Sequence, residues 1–373
     1  MQSVSAACRA IEVPTGATTS LAKARLAARR SQRHSSRRTM RNPSGGIVQR
    51  KETIVVPDDI GGAFRGSPGI YRLRAVATVE IHGTRPSDSE LIERVRNATV
   101  ILSFRPAFTR FPKPVLDGAP HLKLICISGT GVEDVAVSEA TARGIAVANV
   151  PGPSNRAVAE HCLALLFAVA RAVPAQDRAI RRGEWKAMQG IELGGKTLGI
   201  VGVSGISSEL APFARALGMK VISWSRNNNS ARAATIGSEA VPLDELLDTA
   251  DVISLHVRLN DATRHMIGPA QFARMKRGAI VINTARGGVI DEDALLSALQ
   301  SGKIAGAGLD VFAREPLPAG HPFIAMENVV MTPVSAWSTV DASARMINQS
   351  IENVANFIAG TPTNIVNPTA LGS

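Results

Sequence analysis

The chain has 373 residues, 45% of them hydrophobic, which is enough for two ordinary domains with their own cores. No apolar run approaches the roughly 18 residues of a membrane span, so a membrane protein is not expected. The net charge of +11 comes almost entirely from residues 1–51, which hold eleven Lys and Arg residues and one acid, Glu12. The rest of the chain is nearly neutral, which argues against nucleic acid as a partner of the folded part.

The basic segment, residues 1–51, is open to three interpretations. A disordered or dispensable leader, with Met40 as the working start, is favoured because no apolar periodicity is sustained there. An organellar transit peptide would also be rich in Arg and Ser and poor in acids. A nucleic-acid-binding tail is the third, although no aromatic residue is interleaved with the arginines.

The three cysteines, Cys8, Cys126 and Cys162, have no spacing typical of a metal site. Cys126 and Cys162 lie in apolar stretches and are predicted to be buried, reduced thiols. A reducing compartment follows, so we expect a cytoplasmic protein without a metal, or an organellar one if the leader is a transit peptide.

Beyond the leader, strand-length apolar segments alternate with helical patterns, which predicts an α/β fold with parallel sheets. Strands are predicted over residues 53–56, 76–81, 100–103, 122–127 and 145–148. A capping box from Ser87 to Glu90 predicts a helix start, and residues 135–143 predict another helix. After the hinge-like residues 149–153 comes a long helix, one face of which carries apolar residues from Val158 to Val173, and which Pro174 ends or kinks.

Residues 196–226 predict a strand, a glycine turn, a helix and a second strand, an arrangement that cradles phosphate. The dinucleotide pattern G-x-G-x-x-G is imperfect: Ser204 and Ser207 follow Gly202 where glycines are expected, and Gly205 comes one place late. The second strand ends in Ser225-Arg226, without the acid that holds the ribose of NAD. Because an arginine there can pair with a 2′-phosphate, NADP is favoured over NAD, and an ordinary solvated arginine is the alternative.

Two other motif matches are rejected. Residues 190–197 match the Walker A pattern, but a strand follows them where a P-loop needs a helix. Short-chain reductases need Tyr-x-x-x-Lys, and the only tyrosine, Tyr71, is followed at that spacing by Ala75.

Further strands are predicted over residues 251–256, 279–283, 305–311 and 329–331. Asp291 is the predicted N-cap of a helix that Gly302 closes. A last amphipathic helix carries Ile347, Ile351, Val354 and Ile358.

Five motifs, in order, resemble one known family: residues 129–136 with 142–152, then 198–206, 283–291, 309–316 and 328–333. On these segments the chain resembles the D-isomer-specific 2-hydroxyacid dehydrogenase family, in its branch of phosphoglycerate dehydrogenases and glyoxylate/hydroxypyruvate reductases, over about residues 52–370.

The resemblance implies two Rossmann-like domains with parallel sheets. The substrate domain, which is flavodoxin-like, would comprise residues 52–151 and 337–373, and the NAD(P)-binding domain residues 152–336. It further implies a site in the cleft between them, a homodimer built around the long helix after Pro153, and hydride transfer between NADP(H) or NAD(H) and a small 2-oxo or 2-hydroxy acid.

The resemblance also implies roles for particular residues. Arg286 would grip the carboxylate and carbonyl of the substrate, and Glu315 would support the catalytic histidine. The backbone amides of Ser128, Gly129, Thr130 and Gly131 would hold the carboxylate. The cofactor cleft would be formed by Gly202, Val203, Ser204, Gly205, Ile206, Ser225, Arg226, His256, Val257, Thr284 and Asp310.

One departure from the family concerns the reaction itself. The family places its acid/base histidine directly after Thr-Pro, but here Val334 follows Thr332-Pro333. Valine cannot supply the proton that the reduced carbonyl needs. His161 and His321 are possible replacements, with ordinary surface or capping roles as the alternative. Water or a substrate hydroxyl is a further possible proton source. Glu133 and Ala136 also differ from the aspartates common in the family's substrate loop.

Two hypotheses follow. The first is an NAD(P)H-dependent 2-oxo acid reductase with an altered proton donor, and the retained Arg286, Glu315 and Asp310 favour it. The second is a dinucleotide-binding pseudoenzyme that acts as a sensor or interaction protein, and Val334 with the serines at 204 and 207 favours it. We prefer the first on the logic of the site.

Overall fold

Two parallel sheets organise the computed structural model of the chain, which describes residues 52–104, 109–227 and 230–372. The predicted leader, residues 1–51, lies outside the described residues. The α/β class and the parallel sheets that the sequence predicts are confirmed.

The first sheet has five strands in the order β2-β1-β3-β4-β5, which is the flavodoxin-like order. The strands are β1 Thr53–Val56, β2 Thr78–Ile81, β3 Val100–Phe104, β4 Leu124–Ser128 and β5 Ala146–Ala148. The helices between them are α1 Gly69–Val76, α2 Asp88–Val95, α3 Lys113–Asp117 and α4 Val137–Ala142. The capping box at Ser87 is confirmed, but the strand predicted from residue 76 is wrong at its start, because Val76 ends a helix that the sequence analysis missed.

The second sheet has seven strands in the order β12-β11-β10-β9-β6-β7-β8, so strand order reverses between β6 and β9 as in a dinucleotide-binding sheet. Its strands are β6 Thr197–Val201, β7 Lys220–Trp224, β8 Glu239–Ala240, β9 Val252–Leu255, β10 Ala279–Asn283, β11 Ile304–Leu309 and β12 Val329–Met331. Its helices are α7 Gly205–Ala216, α8 Ser230–Ala234, α9 Leu243–Thr249, α10 Pro269–Arg274 and α11 Glu292–Gln300.

Apolar layers cover both faces of each sheet, which is why the central strands are continuous hydrophobic runs. Every residue of β9 and β10 is buried. The two sheets are therefore rigid supports, and the loops at the carboxyl ends of their strands carry the polar residues discussed below.

The segment between the sheets forms two helices, α5 Asn155–Ala170 and α6 Val173–Arg181, bent by 61° at the break. The buried face of α5, with Val158, Cys162, Leu165 and Leu166, packs on the second sheet as the periodicity predicts. Pro174 does not continue that helix, because it lies in the first turn of α6. Among the described residues no single helix is long and apolar enough to cross a membrane, although this bent pair passes a test of length and composition.

The C-terminal helix α12, Val340–Ile358, returns to the first sheet. Its buried residues Ile347, Ile351 and Val354 belong to the same core as β1 and β4. Asn353 Nδ2 donates a hydrogen bond to the carbonyl of Asn149 at 2.8 Å, which ties the helix to the segment that leads out of β5.

Candidate active site

The glycine turn after β6 stands where strand order reverses. Gly202 has φ +104°, and a Cβ there would lie 2.9 Å from both the carbonyl carbon of His256 and Cγ1 of Val257. Only glycine therefore allows the ends of β6 and β9 to approach so closely. In open parallel sheets this crevice is where dinucleotides bind.

Ser204 and Ser207 cap helix α7 reciprocally. The Ser204 hydroxyl accepts the N–H of Ser207, and the Ser204 N–H donates to the Ser207 hydroxyl at 2.6 Å. The serines thus have a structural role as a capping pair, and their presence is not in itself a sign of a lost site. Among the described residues, the N–H groups of Gly205 and Ile206 have no hydrogen-bond partner, so they fit a phosphate at the helix N-terminus.

Arginines surround the end of β7. Arg226 is exposed, and its Nη2 lies 3.5 Å from Asn260 Oδ1. Arg232 on α8 donates to the carbonyl of Val203 at 2.7 Å, and Arg258 follows β9 as an exposed side chain. Ser225 lies beside Arg226, so the residues that follow β7 are polar and positively charged.

His256 is a neutral side chain in the wall of the crevice. Its Nε2 lies 2.9 Å from the Ser254 hydroxyl, and burial lowers its pKa to about 4. Since its imidazolium form is not populated at neutral pH, His256 does not replace the family's acid.

Asp310 fixes the turn that carries Val334. Its buried carboxylate accepts hydrogen bonds from the Thr332 hydroxyl at 2.6 Å, the Ser335 N–H at 2.8 Å and the Ala336 N–H at 3.0 Å. The N–H of Val334 donates to the Asp310 carbonyl at 3.0 Å. These four bonds place position 334 beside the carboxyl ends of β11 and β12.

Val334 adopts φ +55°, in the left-handed region. A β-branched residue is an outlier in this region, whereas His and Asn are enriched there among residues other than glycine. The backbone at position 334 is thus shaped for a residue other than the one it holds.

The two histidines considered as replacements already have partners. His161 Nε2 lies 2.9 Å from the Thr332 hydroxyl, and His321 Nε2 lies 3.1 Å from Glu292 Oε1. Within the described part of the chain, neither imidazole contacts Arg286 or Glu315. The exposed Glu315 instead accepts the N–H of Phe312 at 3.0 Å.

Arg286 connects the two sheets. It follows β10, its Nη1 donates to the carbonyl of Ala285 at 2.7 Å, and its Nη2 lies 3.3 Å from Glu133 Oε1, on the loop after β4. Sequence reasoning missed this partner, because Glu133 was considered only as a departure from the family and lies 153 positions away. The next residue, Gly287, packs against the backbone of Phe312, where a Cβ would lie 1.9 Å from the carbonyl group.

The predicted substrate loop, Ser128 to Gly131, begins at the last residue of β4. Ser128 is fully buried, with a hydroxyl that has no partner among the described residues. The N–H of Gly129 donates to the carbonyl of Ile127 at 2.9 Å. The amides of Thr130 and Gly131 have no partner within the described residues and can take an anion.

The remaining predicted cofactor residue, Thr284, has its hydroxyl 3.2 Å from the thiol of Cys162. Burial raises the pKa of that thiol to about 11, so it is a reduced, unreactive group at this position. No group of His, Cys, Asp and Glu side chains that could hold a metal ion occurs in the part of the chain that the structure describes.

Comparisons with known proteins agree with this geometry. The model of the D-isomer specific 2-hydroxyacid dehydrogenase family, NAD binding domain, matches residues 163–336. The chain is 40% identical over 289 residues to a glyoxylate reductase of Korarchaeum cryptofilum, covering 76% of this chain and 86% of that one.

Two solved structures are similar over most of the chain. A glyoxylate reductase from Paecilomyes thermophila has a TM-score of 0.77 and 31% identity, over 85% of this chain and 98% of that one. An acyclic imino acid reductase, solved in complex with NADPH and D-Arg, has a TM-score of 0.75 and 30% identity, over 84% and 99%. Together with the flavodoxin-like and dinucleotide-binding sheets, these likenesses make the chain an oxidoreductase of the D-isomer specific 2-hydroxyacid dehydrogenase family, whose homologues use a nicotinamide cofactor.

Proposed function

We propose that the chain reduces small 2-oxo acids in the cleft between its two sheets, with NADPH as the preferred cofactor. The approach of Arg286 to the substrate loop supports this most directly. Arg286 follows β10 of the second sheet and reaches Glu133 at 3.3 Å, in the loop after β4 of the first sheet that also contains Thr130 and Gly131. A planar guanidinium is suited to a carboxylate, and the backbone amides of the same loop can donate to it as well.

In this proposal the chain's own groups bind and orient the substrate. Arg286 and the two amides hold the carboxylate, and the loop around Gly287 fixes the position of Arg286. The amides of Gly205 and Ile206 hold a cofactor phosphate. The cofactor supplies the hydride that reduces the substrate carbon.

Val334 limits this reaction, because it supplies no proton to the alkoxide that forms. General acid catalysis contributes about 10²–10⁴-fold to rate, so turnover of 2-oxo acids should be slow. The same residue favours the second candidate function, a pseudoenzyme that binds the dinucleotide without turnover.

The preference for NADPH rests on the positive edge formed by Arg226, Arg232 and Arg258 and on the absence of an acid after β7 in the described residues 225–227. The neighbouring structure of an imino acid reductase was solved with NADPH, which is consistent with this choice. Fluorescence titration should therefore give a lower Kd for NADPH than for NADH, and the reverse order would argue against the proposal.

We also propose the remaining organisation from the sequence analysis: a substrate domain of residues 52–151 and 337–373, a cofactor domain of residues 152–336, and a cytoplasmic homodimer. The free, buried thiols Cys126 and Cys162 suit a reducing compartment. Exposed apolar residues on α6 and the loop after it suit a second copy of the chain.

The carboxylate grip is tested with Arg286→Ala and the matched control Arg72→Ala, an exposed arginine on α1. Loss of charged hydrogen bonds worth about 3 kcal/mol should lower kcat/KM for glyoxylate or hydroxypyruvate about 10²-fold. Arg72→Ala should leave it unchanged. NADPH binding, measured in parallel, should persist in both variants. Equal activity of Arg286→Ala and the control would reject the assigned role, and absence of all turnover would support the pseudoenzyme.

A further inference from the structure

The missing proton donor constrains what the site can reduce. Position 334 holds a valine, the nearby imidazoles of His161 and His321 are bonded to Thr332 and Glu292, and His256 is neutral. A substrate that needs an external proton during hydride transfer is therefore poorly served by this site.

Carbonyl and imine substrates differ in that need. When a hydride adds to a C=O carbon, the electron pair of the π bond moves to oxygen, and the alkoxide must take a proton. In a protonated imine the same pair moves to a nitrogen that carries its proton before the reaction. The product is then a neutral amine, the reduced nicotinamide becomes oxidised, and no acid is needed in the step.

The charges at the site favour the imine as well. Arg286 is paired with Glu133 at 3.3 Å, so a positive and a negative side chain stand together at the substrate loop. A 2-oxo acid brings only a carboxylate, which Glu133 repels. A protonated 2-imino acid brings a carboxylate for Arg286 and a cation for Glu133, so both charges find opposite partners.

We propose that the substrates of this chain are 2-imino acids, which form when a 2-oxo acid condenses with ammonia or a primary amine and releases water, and which are reduced here to 2-amino acids by hydride from the reduced nicotinamide. The inference rests on the proposed function, since it uses the same carboxylate grip and the same cofactor. It assigns Glu133 as a residue that determines specificity.

The first experiment compares glyoxylate alone with glyoxylate preincubated with methylamine, in the presence of NADPH. Oxidation of NADPH should be at least tenfold faster with the amine, and mass spectrometry should identify N-methylglycine in place of glycolate. An equal or faster rate with glyoxylate alone would overturn the inference.

A second experiment returns the proton donor with Val334→His. The variant should raise glyoxylate reduction about 10²-fold or more and so lower the ratio of imine to oxo-acid turnover at least tenfold. The matched control Val334→Asn tolerates the same positive φ but carries no titrating proton, and it should keep the ratio of the natural protein. A ratio that falls equally in both variants would contradict the role given to the missing acid.

Binding without turnover gives an independent readout. In calorimetry with NADP⁺ present, glycine should bind more tightly than glycolate, because its ammonium group faces Glu133. Glu133→Gln should reduce that difference at least fivefold, whereas Glu139→Gln, an exposed acid on α4, should not. An unchanged difference in Glu133→Gln would remove Glu133 from the proposal.

The two proposals fail in different ways. If glyoxylate is reduced through Arg286 but the amine has no effect, only the imine inference is wrong. If neither substrate is turned over by the natural protein or by Val334→His, both the imine inference and the proposed function are wrong.

Discussion

Val334 has a left-handed backbone conformation, which β-branched residues disfavour. The turn is fixed by four hydrogen bonds to Asp310, and it imposes φ +55° on a β-branched residue. Strain of this kind costs about 1–3 kcal/mol and persists only where the surroundings enforce it. Histidine and asparagine adopt this conformation more readily than valine, so the backbone of the turn suits a residue of that kind.

Replacing Val334 by Asn should therefore stabilise the fold, by about 1 kcal/mol, because Asn accepts positive φ more readily. Thermal unfolding should show a higher Tm than that of the natural protein. Val340→Asn is the control: Val340 is 87% exposed at the start of α12, without positive φ, and its replacement should not raise Tm. A lower Tm for Val334→Asn would mean that valine packing outweighs the strain.

Residue identities at the site were predictable where a motif carries them, and contacts were not. Arg286, Asp310 and the absence of a histidine at 334 are read directly from ordered motifs. Arg286 and Glu133 are brought together only by the fold, since they follow strands of different sheets. No local sequence pattern predicts their contact. The glycine pattern also did not predict that Ser204 and Ser207 form the capping box of helix α7, because that pattern considers only the positions of glycines.

At the scale of elements, the loop from Arg286 to Val289 depends on close backbone contact. Gly287 lies against the Phe312 carbonyl group, and a Cβ would approach it to 1.9 Å. The opposing atoms are backbone, so they cannot rotate away as a side chain could. The two loops that carry Arg286 and Glu315 therefore keep their relative positions only with glycine at 287.

Gly287→Ala should displace the Arg286 loop, lowering Tm and reducing kcat/KM by at least tenfold. Gly61→Ala is the matched control, since a Cβ at Gly61 has no heavy atom within 4 Å and its φ is not positive. Thermal scans and steady-state kinetics on both variants test the contact. If Gly287→Ala behaves like Gly61→Ala, the loop is more adaptable than this packing implies.

Elements were predictable where periodicity or caps mark them. The apolar strands of both sheets and the helix starts at Ser87 and Asp291 follow from local sequence. Helix α1 was missed because only Ile70 and Leu73 of its eight residues are buried, so its apolar stripe is too short to stand out. The break before α6 was placed near Pro174, but a proline suits a first helical turn as well as it ends a helix, and tertiary packing decides between the two.

At the scale of the whole molecule, buried His256 makes stability depend on pH. Burial lowers the pKa of His256 from 6.5 to about 4. Between pH 6.5 and pH 4 the unfolded chain therefore binds a proton at this residue that the folded chain does not bind. The free energy of unfolding should fall by about 3 kcal/mol from this group as pH drops from neutral to 4. His256→Gln should flatten that decline in Tm, while His121→Gln, at an exposed position, should retain it. Parallel declines in both variants would contradict this assignment.

Helix α6 and the residues that flank it bear on how the chain assembles. Residues of α5, α6 and the following loop expose apolar side chains on one stretch of chain: Phe167 at 41%, Val173 at 55%, Ile180 at 58%, Trp185 at 93% and Ile191 at 39%. Aromatic and aliphatic groups so exposed mark an interaction surface, and the proposed partner is a second copy of the chain.

Light scattering after gel filtration should give a dimer for the natural protein. The double variant Ile180→Ser/Trp185→Ser should shift it to monomer at micromolar concentration, because apolar area at the centre of an interface dominates affinity. The control, Ile324→Ser/Val340→Ser, removes two exposed apolar residues outside this stretch and should remain dimeric. If the natural protein is monomeric at all concentrations, the proposal that a second copy covers this surface is wrong. If the Ile180→Ser/Trp185→Ser variant remains dimeric, the interface lies elsewhere.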